Sequence, residues 1–254
     1  MSTTHGEPVE DAGGAGGTGA EDVPPTPAEA VAVFGDRLAA AERYVALLAG
    51  PGLAQGVIGP REVPRLWARH VLNSAAVGEV LPRDATVVDV GSGAGLPGVP
   101  LALARPDLAI TLLEPMARRV AWLEHVVAEL GLDVTVVRGR AEERETRRQC
   151  GESDVVTARA VAPIGRLATW TLPLVRAGGT LAAMKGASAA DEVARDLKEI
   201  RAAGGAEPRV VRCGVGDAAT TVVLVSRSER RGHSPAGGRS RGRKDRARDR
   251  STDV

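Results

Sequence analysis

A lone acid, Asp89, stands two residues ahead of a run of small residues, Gly91-Ser92-Gly93-Ala94-Gly95, and a second acid, Glu114, follows 23 residues after Gly91. Glycines let a backbone approach a ligand closely and take positive φ. An acid closing the next strand can accept hydrogen bonds from ribose hydroxyls. The pair therefore describes a seat for an adenosine-bearing cofactor. Two cofactor classes compete, because Gly93-Ala94-Gly95-Leu96-Pro97-Gly98 also fits the dinucleotide fingerprint GxGxxG. Asp89 argues against the dinucleotide: a carboxylate meets a pyrophosphate badly, but through water it can face the amino-acid portion of a sulfonium. The chain also lacks a His–acid pair or a Tyr-x-x-x-Lys at a strand end, as a dehydrogenase would need. Both points favour S-adenosyl-L-methionine.

The elements that must hold this turn follow from periodicity. ATVVDV (85–90) is a short apolar strand that runs into the glycine turn, and VPLALA continues as a helix. LAITLLE (108–114) is the second strand, and residues 116–131 form an amphipathic helix closed by Gly131. Strands at 134–139, 154–160, 180–186, 209–213 and 220–226 follow, with helices near 163–175 and 188–203. Alternation of this kind predicts an α/β, Rossmann-like, mostly parallel seven-stranded sheet. The short connection GVGDAA makes the last two strands an antiparallel hairpin. That is the plan of class I S-adenosylmethionine-dependent methyltransferases. Ahead of the sheet, residues 28–49 show helical spacing that stops at Gly50-Pro51-Gly52, and 61–79 form a second helical stretch.

Two cations stand at strand ends. Arg159 closes DVVTARA and Lys185 closes TLAAMKG, and both strands are otherwise apolar. A cation buried in mid-sheet without a partner is very costly, so both belong at the rim where the crevice opens. These two are expected to act in catalysis. A solvated arginine or lysine head is the plainer alternative. Arg69 and His70 fit a polar helix face as well as a functional one, and Arg118-Arg119 fit a solvated face better than an RNA contact. The run from Arg138 to Arg148 is a candidate phosphate-contact surface tempered by Glu142, Glu143 and Glu145.

Composition sets outer bounds. Apolar residues make up 43% of the 254, enough for a sizeable core, while aromatics are 2%, too few for a base-stacking platform. Cys150 and Cys213 form no CxxC, which argues against a disulfide framework or zinc site, and both are expected to be inert. The sequence has no apolar run of membrane length and no signal-peptide pattern at its start, so a cytoplasmic protein with no membrane association is expected. The net charge of +1 hides an asymmetry. Residues 1–27 carry five acids and no Lys or Arg, whereas 227–254 carry nine Arg and Lys244 against four acids. Both ends are expected to be disordered tails flanking a domain at 28–226, with helices in 28–80 and the Rossmann-like core in 85–226. The basic tail is a candidate nucleic-acid arm.

The segments WARHVLNSAAV (67–77), VVDVGSGAGLPGVPLALARPDLAITLLEP (87–115), RRVAWL (118–123), ARA (158–160) and MKG (184–186) stand in an order and spacing that resembles the small-subunit ribosomal RNA methyltransferase G family, also called glucose-inhibited division protein B. The resemblance spans about residues 28–226. It implies methyl transfer from S-adenosyl-L-methionine to N7 of one guanine in 16S rRNA of the small ribosomal subunit, by a monomer. It also implies that Gly91, Leu96, the Ala141-Glu142 pair and Arg159 contact the cofactor, beside Asp89 and Glu114 from the motif itself. Arg118 stands where many relatives have lysine, Met184 where they often have leucine, and the Arg-rich tail lies outside the family pattern. Competing readings are a methyltransferase of a small molecule or protein, which would dispense with the RHxLNS segment, and a nucleotide-binding regulatory module that does no chemistry.

Overall fold

The computed structural model describes residues 23–228. The expectations for residues 1–22 and 229–254 lie outside the described residues. Seven strands, β1 (Thr86–Val90), β2 (Ala109–Glu114), β3 (Val134–Arg138), β4 (Ser153–Arg159), β5 (Val175–Lys185), β6 (Gly205–Cys213) and β7 (Thr220–Arg227), form one sheet in the order β3-β2-β1-β4-β5-β7-β6. All neighbours are parallel except that β7 runs antiparallel to both β5 and β6. This is the class I methyltransferase plan expected from the pattern of short apolar strands and a closing hairpin.

The strands are apolar on both faces because both faces are covered. Val87, Val155, Ala182 and Leu224 turn to one side, where they pack with α4 (Gly98–Ala104), α5 (Ala117–Leu130) and the N-terminal helices α1 (Ala28–Phe34) and α2 (Leu38–Leu47). Val88, Val156, Ala183 and Val225 turn to the other, against α7 (Ile164–Thr171) and α8 (Ala189–Ala202). Residues one apart take opposite sides, as the pleat requires. The strand order reverses between β1 and β4, so the carboxyl ends of these strands open a crevice.

Several boundaries differ from the sequence reading. Gly50-Pro51-Gly52 does not stop the second helix: Pro51 sits inside a wide turn (Leu48–Gly52), and Gln55 N donates to Pro51 O before the chain turns at Gly56. A widened turn accommodates a residue that cannot donate. Residues 60–80 are helical as expected but are built from short turns, Pro60–Arg65, Leu66–Leu72, α3 (Asn73–Ala75) and Ala76–Val80. Strands β5 and β6 begin earlier than expected, across glycines and Pro208; β6 is an edge strand with a register shift between Ala206 and Arg209, where a proline costs no ladder bond. Helix α6 (Arg144–Cys150) gave no periodic signal, since only its Thr146 is buried. Finally, the described part of the first tail is packed. Val23 lies against the core, Trp67 Nε1 donates to Pro24 O at 3.2 Å, and Thr26 Oγ1 donates to Glu42 at 2.7 Å. A buried indole N–H needs an acceptor, and the chain ahead of α1 provides it.

The first turn of α4 presses on the sheet at Gly98, where an added Cβ would lie 2.2 Å from Leu112 Cδ2 and 2.8 Å from Asp89 Oδ2. Gly98→Ala should therefore destabilise the fold by about 1–3 kcal/mol through overpacking. In a domain of this size that lowers Tm by roughly 2–10 °C, readable by calorimetry. An unchanged Tm would mean that α4 can lift off the sheet freely.

Candidate functional site

The chain leaves β1 at Val90 and reverses at Gly91, whose φ is +72°. Gly91 N and Ser92 N both donate to Leu113 O, at 2.8 and 3.2 Å, so the turn is stitched to β2. Glu114 ends β2 directly beneath it. Its Oε2 accepts from Gly93 N at 3.0 Å and its Oε1 from Met116 N at 2.9 Å. Each oxygen of an ionised carboxylate has two lone-pair sites, so Glu114 keeps acceptor capacity toward the crevice while holding the turn. Ala94 O accepts from both Tyr44 Oη and Trp122 Nε1, each at 3.0 Å, tying the glycine run to α2 and α5. Burial pushes the Tyr44 phenol far above its usual range, so it serves here as a neutral donor.

Asp89 lies one layer deeper than the sequence reading placed it. Its side chain is fully buried; Oδ2 accepts from Gly98 N at 3.0 Å and Oδ1 has no partner. It does not line the crevice. The alternation of β1 turns it under the turn, where it braces the start of α4. Burial raises its pKa to about 7, opposed by the Gly98 N–H.

Arg159 closes β4 as expected, but it is no solvated rim cation. Nη2 donates to Arg69 O at 3.0 Å and to His70 Nδ1 at 2.9 Å, while Nη1 donates to Ser74 Oγ at 3.1 Å. Arginine has no acceptor, so His70 Nδ1 accepts and the proton sits on Nε2, which donates to Glu62 Oε2 at 2.7 Å. Burial and the neighbouring guanidinium lower the His70 pKa, consistent with a neutral ring. The RHxLNS segment is thus folded around Arg159. The next residue, Ala160, has φ +54°, a strained conformation for a residue with a Cβ, of a kind that clusters at functional sites. Lys185 Nζ donates to Ala162 O at 2.6 Å and to Glu192 Oε1 at 3.0 Å, and that same oxygen accepts from Ile164 N. It ties the loop after β4 to α8.

Two spaces meet here. A crevice of about 630 Å³ is lined by Gly91, Leu96, Glu114 and Arg140, and includes His70 from the helical extension. A larger cavity of about 900 Å³ is lined by Arg65, Arg69, Lys185 and Asp217 among others. Arg159 and Ala160 belong to both. Of the residues expected at the cofactor, Gly91, Leu96, Glu114 and Arg159 therefore come together. Ala141 is buried with its carbonyl accepting from Arg147 Nε at 3.0 Å, and Glu142 is exposed; neither lines the crevice, although Arg140 just before them does. The crevice fits an adenosine-bearing group. A Cβ on Gly91 would lie 2.9 Å from Val161 Cγ2, so only glycine keeps that floor open, and Glu114 still has free lone pairs. The sequence marks neither Tyr44 nor Trp122, because the acceptor of each polar end, Ala94 O, lies 50 and 28 residues away along the chain. Among the described residues no cluster of His, Cys, Asp and Glu could hold a metal ion, and no helix is long and apolar enough to cross a membrane. Burial pushes both cysteine thiols above their usual pKa, in keeping with the inert role expected of them.

Residues 37–221 match a model of the rRNA small subunit methyltransferase G family. The ribosomal RNA small subunit methyltransferase G of Mycolicibacterium smegmatis is 51% identical over 226 residues, covering 87% of this chain and 96% of the relative. That of Corynebacterium efficiens is 54% identical over 207 residues, covering 80% and 89%. Among solved structures, Aeropyrum pernix fibrillarin in complex with natively bound S-adenosyl-L-methionine aligns at 18% identity and a TM-score of 0.47, over 61% of this chain and 76% of that one.

Asp89 gives the site a pH signature. A carboxyl whose pKa rises from 3.8 to about 7 on folding holds its proton longer in the folded state than in the unfolded chain. Its contribution to stability is therefore full below about pH 4 and is lost as pH rises to about 7. Asp89→Asn removes this titration, so the variant should gain on the wild type across that interval. The check is Tm against pH for both proteins; parallel curves would show that the Asp89 carboxyl titrates normally.

Proposed function

The chain belongs to the rRNA small subunit methyltransferase G family, and from that premise we propose that it transfers a methyl group from S-adenosyl-L-methionine to N7 of one guanine in 16S ribosomal RNA. The observation that carries the reading is the junction of the two spaces at Arg159 and Ala160. One is floored by a glycine turn with a carboxylate under it, and the other is wide and basic. When bound, the cofactor supplies an electrophilic methyl on a sulfonium centre. In this reading Gly91 and Leu96 wall the crevice, Glu114 accepts from ribose hydroxyls, and Arg140 stands at the wall with Ala141-Glu142 behind it, outside the lining. Asp89 acts from below, bracing the start of α4 through Gly98 N.

Guanine N7 has a lone pair and no proton, so no side chain has to act as a base. What the chain supplies is alignment and a fixed field at the reacting edge. Arg159 is pinned by acceptors on the RHxLNS segment, which suits a cation that must hold one position between cofactor and base. Lys185 steadies the loop that carries Ala160 and keeps one N–H free for a guanine O6 or a phosphate. Among the other readings, a methyltransferase of a small molecule has no use for so wide a basic cavity, and a non-catalytic module has no use for a second space joined to the first. The reading places the enzyme in the cytoplasm with ribosomal RNA, working as a monomer, because one chain builds both spaces.

Mass spectrometry of 16S rRNA from cells with and without the gene should show the loss of a single methylguanine; an unchanged pattern would exclude the substrate. In vitro, Gly91→Val should abolish cofactor binding in calorimetry while the protein remains folded. Arg159→Ala should lose roughly a hundredfold in methyl transfer per folded molecule, because small misplacements at the reacting centre are that costly. Full activity in the Arg159 variant would reduce that residue to a structural strut.

A further inference from the structure

The floor of the larger cavity is a row of three strand ends. Register places Arg159 of β4 beside Met184 of β5, and Lys185 of β5 beside Thr221 of β7. Arg159 and Ala160 stand at the end of the row nearest the cofactor crevice. Asp217 stands at the far end, on the Gly216–Ala218 turn that leads into β7. Two strand spacings separate these ends, about 10 Å. Asn73 Nδ2 fixes the turn by donating to Ala219 O at 2.9 Å and Ala218 O at 3.4 Å. Asp217 is the one carboxylate lining this cavity, amid Arg65, Arg69, Arg159 and Lys185, and among the described residues it has no ion-pair or hydrogen-bond partner. Arg65 and Arg69 are exposed at the mouth and unpaired among the described residues.

We propose that this cavity takes the target nucleotide unstacked, with the guanine lying across the ends of β4, β5 and β7 and Asp217 accepting from its N1–H and 2-amino group. The inference rests on the function proposed above and adds the residue that tells guanine from the other bases. The chemistry is directional. Guanine presents two adjacent donors on its Watson–Crick edge, and a carboxylate accepts from both; adenine has an acceptor at N1, and uracil lacks the second donor. N7 lies on the opposite edge of the purine. A base held at Asp217 by its Watson–Crick edge therefore turns N7 toward Arg159, Ala160 and the cofactor crevice. Arg65 and Arg69 at the mouth meet the flanking phosphates, which position the strand without reading it.

The test uses the full chain, labelled S-adenosyl-L-methionine and small-subunit RNA carrying either guanosine or inosine at the target position. Inosine keeps N7, O6 and N1–H but lacks the 2-amino group. For the wild type, kcat/KM should fall by about tenfold or more on the inosine RNA, as expected for a lost base-edge contact. Asp217→Asn and Asp217→Ala should lose about 10- to 100-fold on guanosine RNA, show little further loss on inosine RNA, and keep cofactor affinity and Tm within error. Arg65→Ala should weaken both RNAs equally and flatten the salt dependence of binding. Variants at 217 that match the wild type on both RNAs would overturn the proposal while leaving the methyltransferase reading intact. A wild type inactive on both RNAs would overturn both readings.

Discussion

A guanidinium held below the surface has to be satisfied on every side, and in this molecule that demand falls on Arg159. The side chain closes a central strand, yet its acceptors, Arg69 O, His70 Nδ1 and Ser74 Oγ, all belong to the helical extension. The extension and the sheet are thereby fixed to each other at the point where the two spaces join. His70 cannot turn without losing Glu62, and the turns at 60–75 cannot unwind without stranding a charge. This accounts for the irregular helical path of residues 60–80. A continuous α-helix presents its carbonyls to its own amides, whereas a chain of short turns can spare one for a cation.

The glycine turn obeys a similar logic with the signs reversed. Glu114 spends one lone pair of each oxygen on the backbone of the turn and of the next helix, which stiffens the binding surface before any ligand arrives. Asp89 secures α4 from beneath at the cost of a buried oxygen with no partner. The crevice is thus supported by two carboxylates with different duties, one facing the ligand space and one hidden. Preorganisation of this kind suits a reaction in which placement, rather than proton transfer, sets the rate.

Much of this was legible in the sequence, and the parts that were not share a cause. Strand positions, the parallel order and the closing hairpin follow from local runs of Val, Leu and Ile and from the shortness of GVGDAA. Gly91, Glu114 and Arg159 could be placed at one crevice because strand ends are local features, and Leu96 through the resemblance to the family. The depth of Asp89 was not legible, since a strand buried on both faces gives no polar side by which to tell in from out. The environment of Arg159 depends on residues 85–90 positions away, and no spacing rule reaches that far. The same holds for Tyr44 and Trp122 converging on Ala94 O. The packing of Val23–Pro27 was hidden behind a composition that reads as tail.

The edge strand β6 has a consequence for the molecule's behaviour in a crowded solution. An open sheet ends in a row of unpaired N–H and C=O groups, which invites another chain to add itself. Here that row is interrupted. Pro208 has no N–H to offer, the register shifts between Ala206 and Arg209, and Arg209 and Arg212 bring charge to the margin. An incoming strand would find too few consecutive partners to repay its own ordering. The irregularity that blurred the start of β6 in the sequence thus also guards the sheet against self-association during synthesis and refolding.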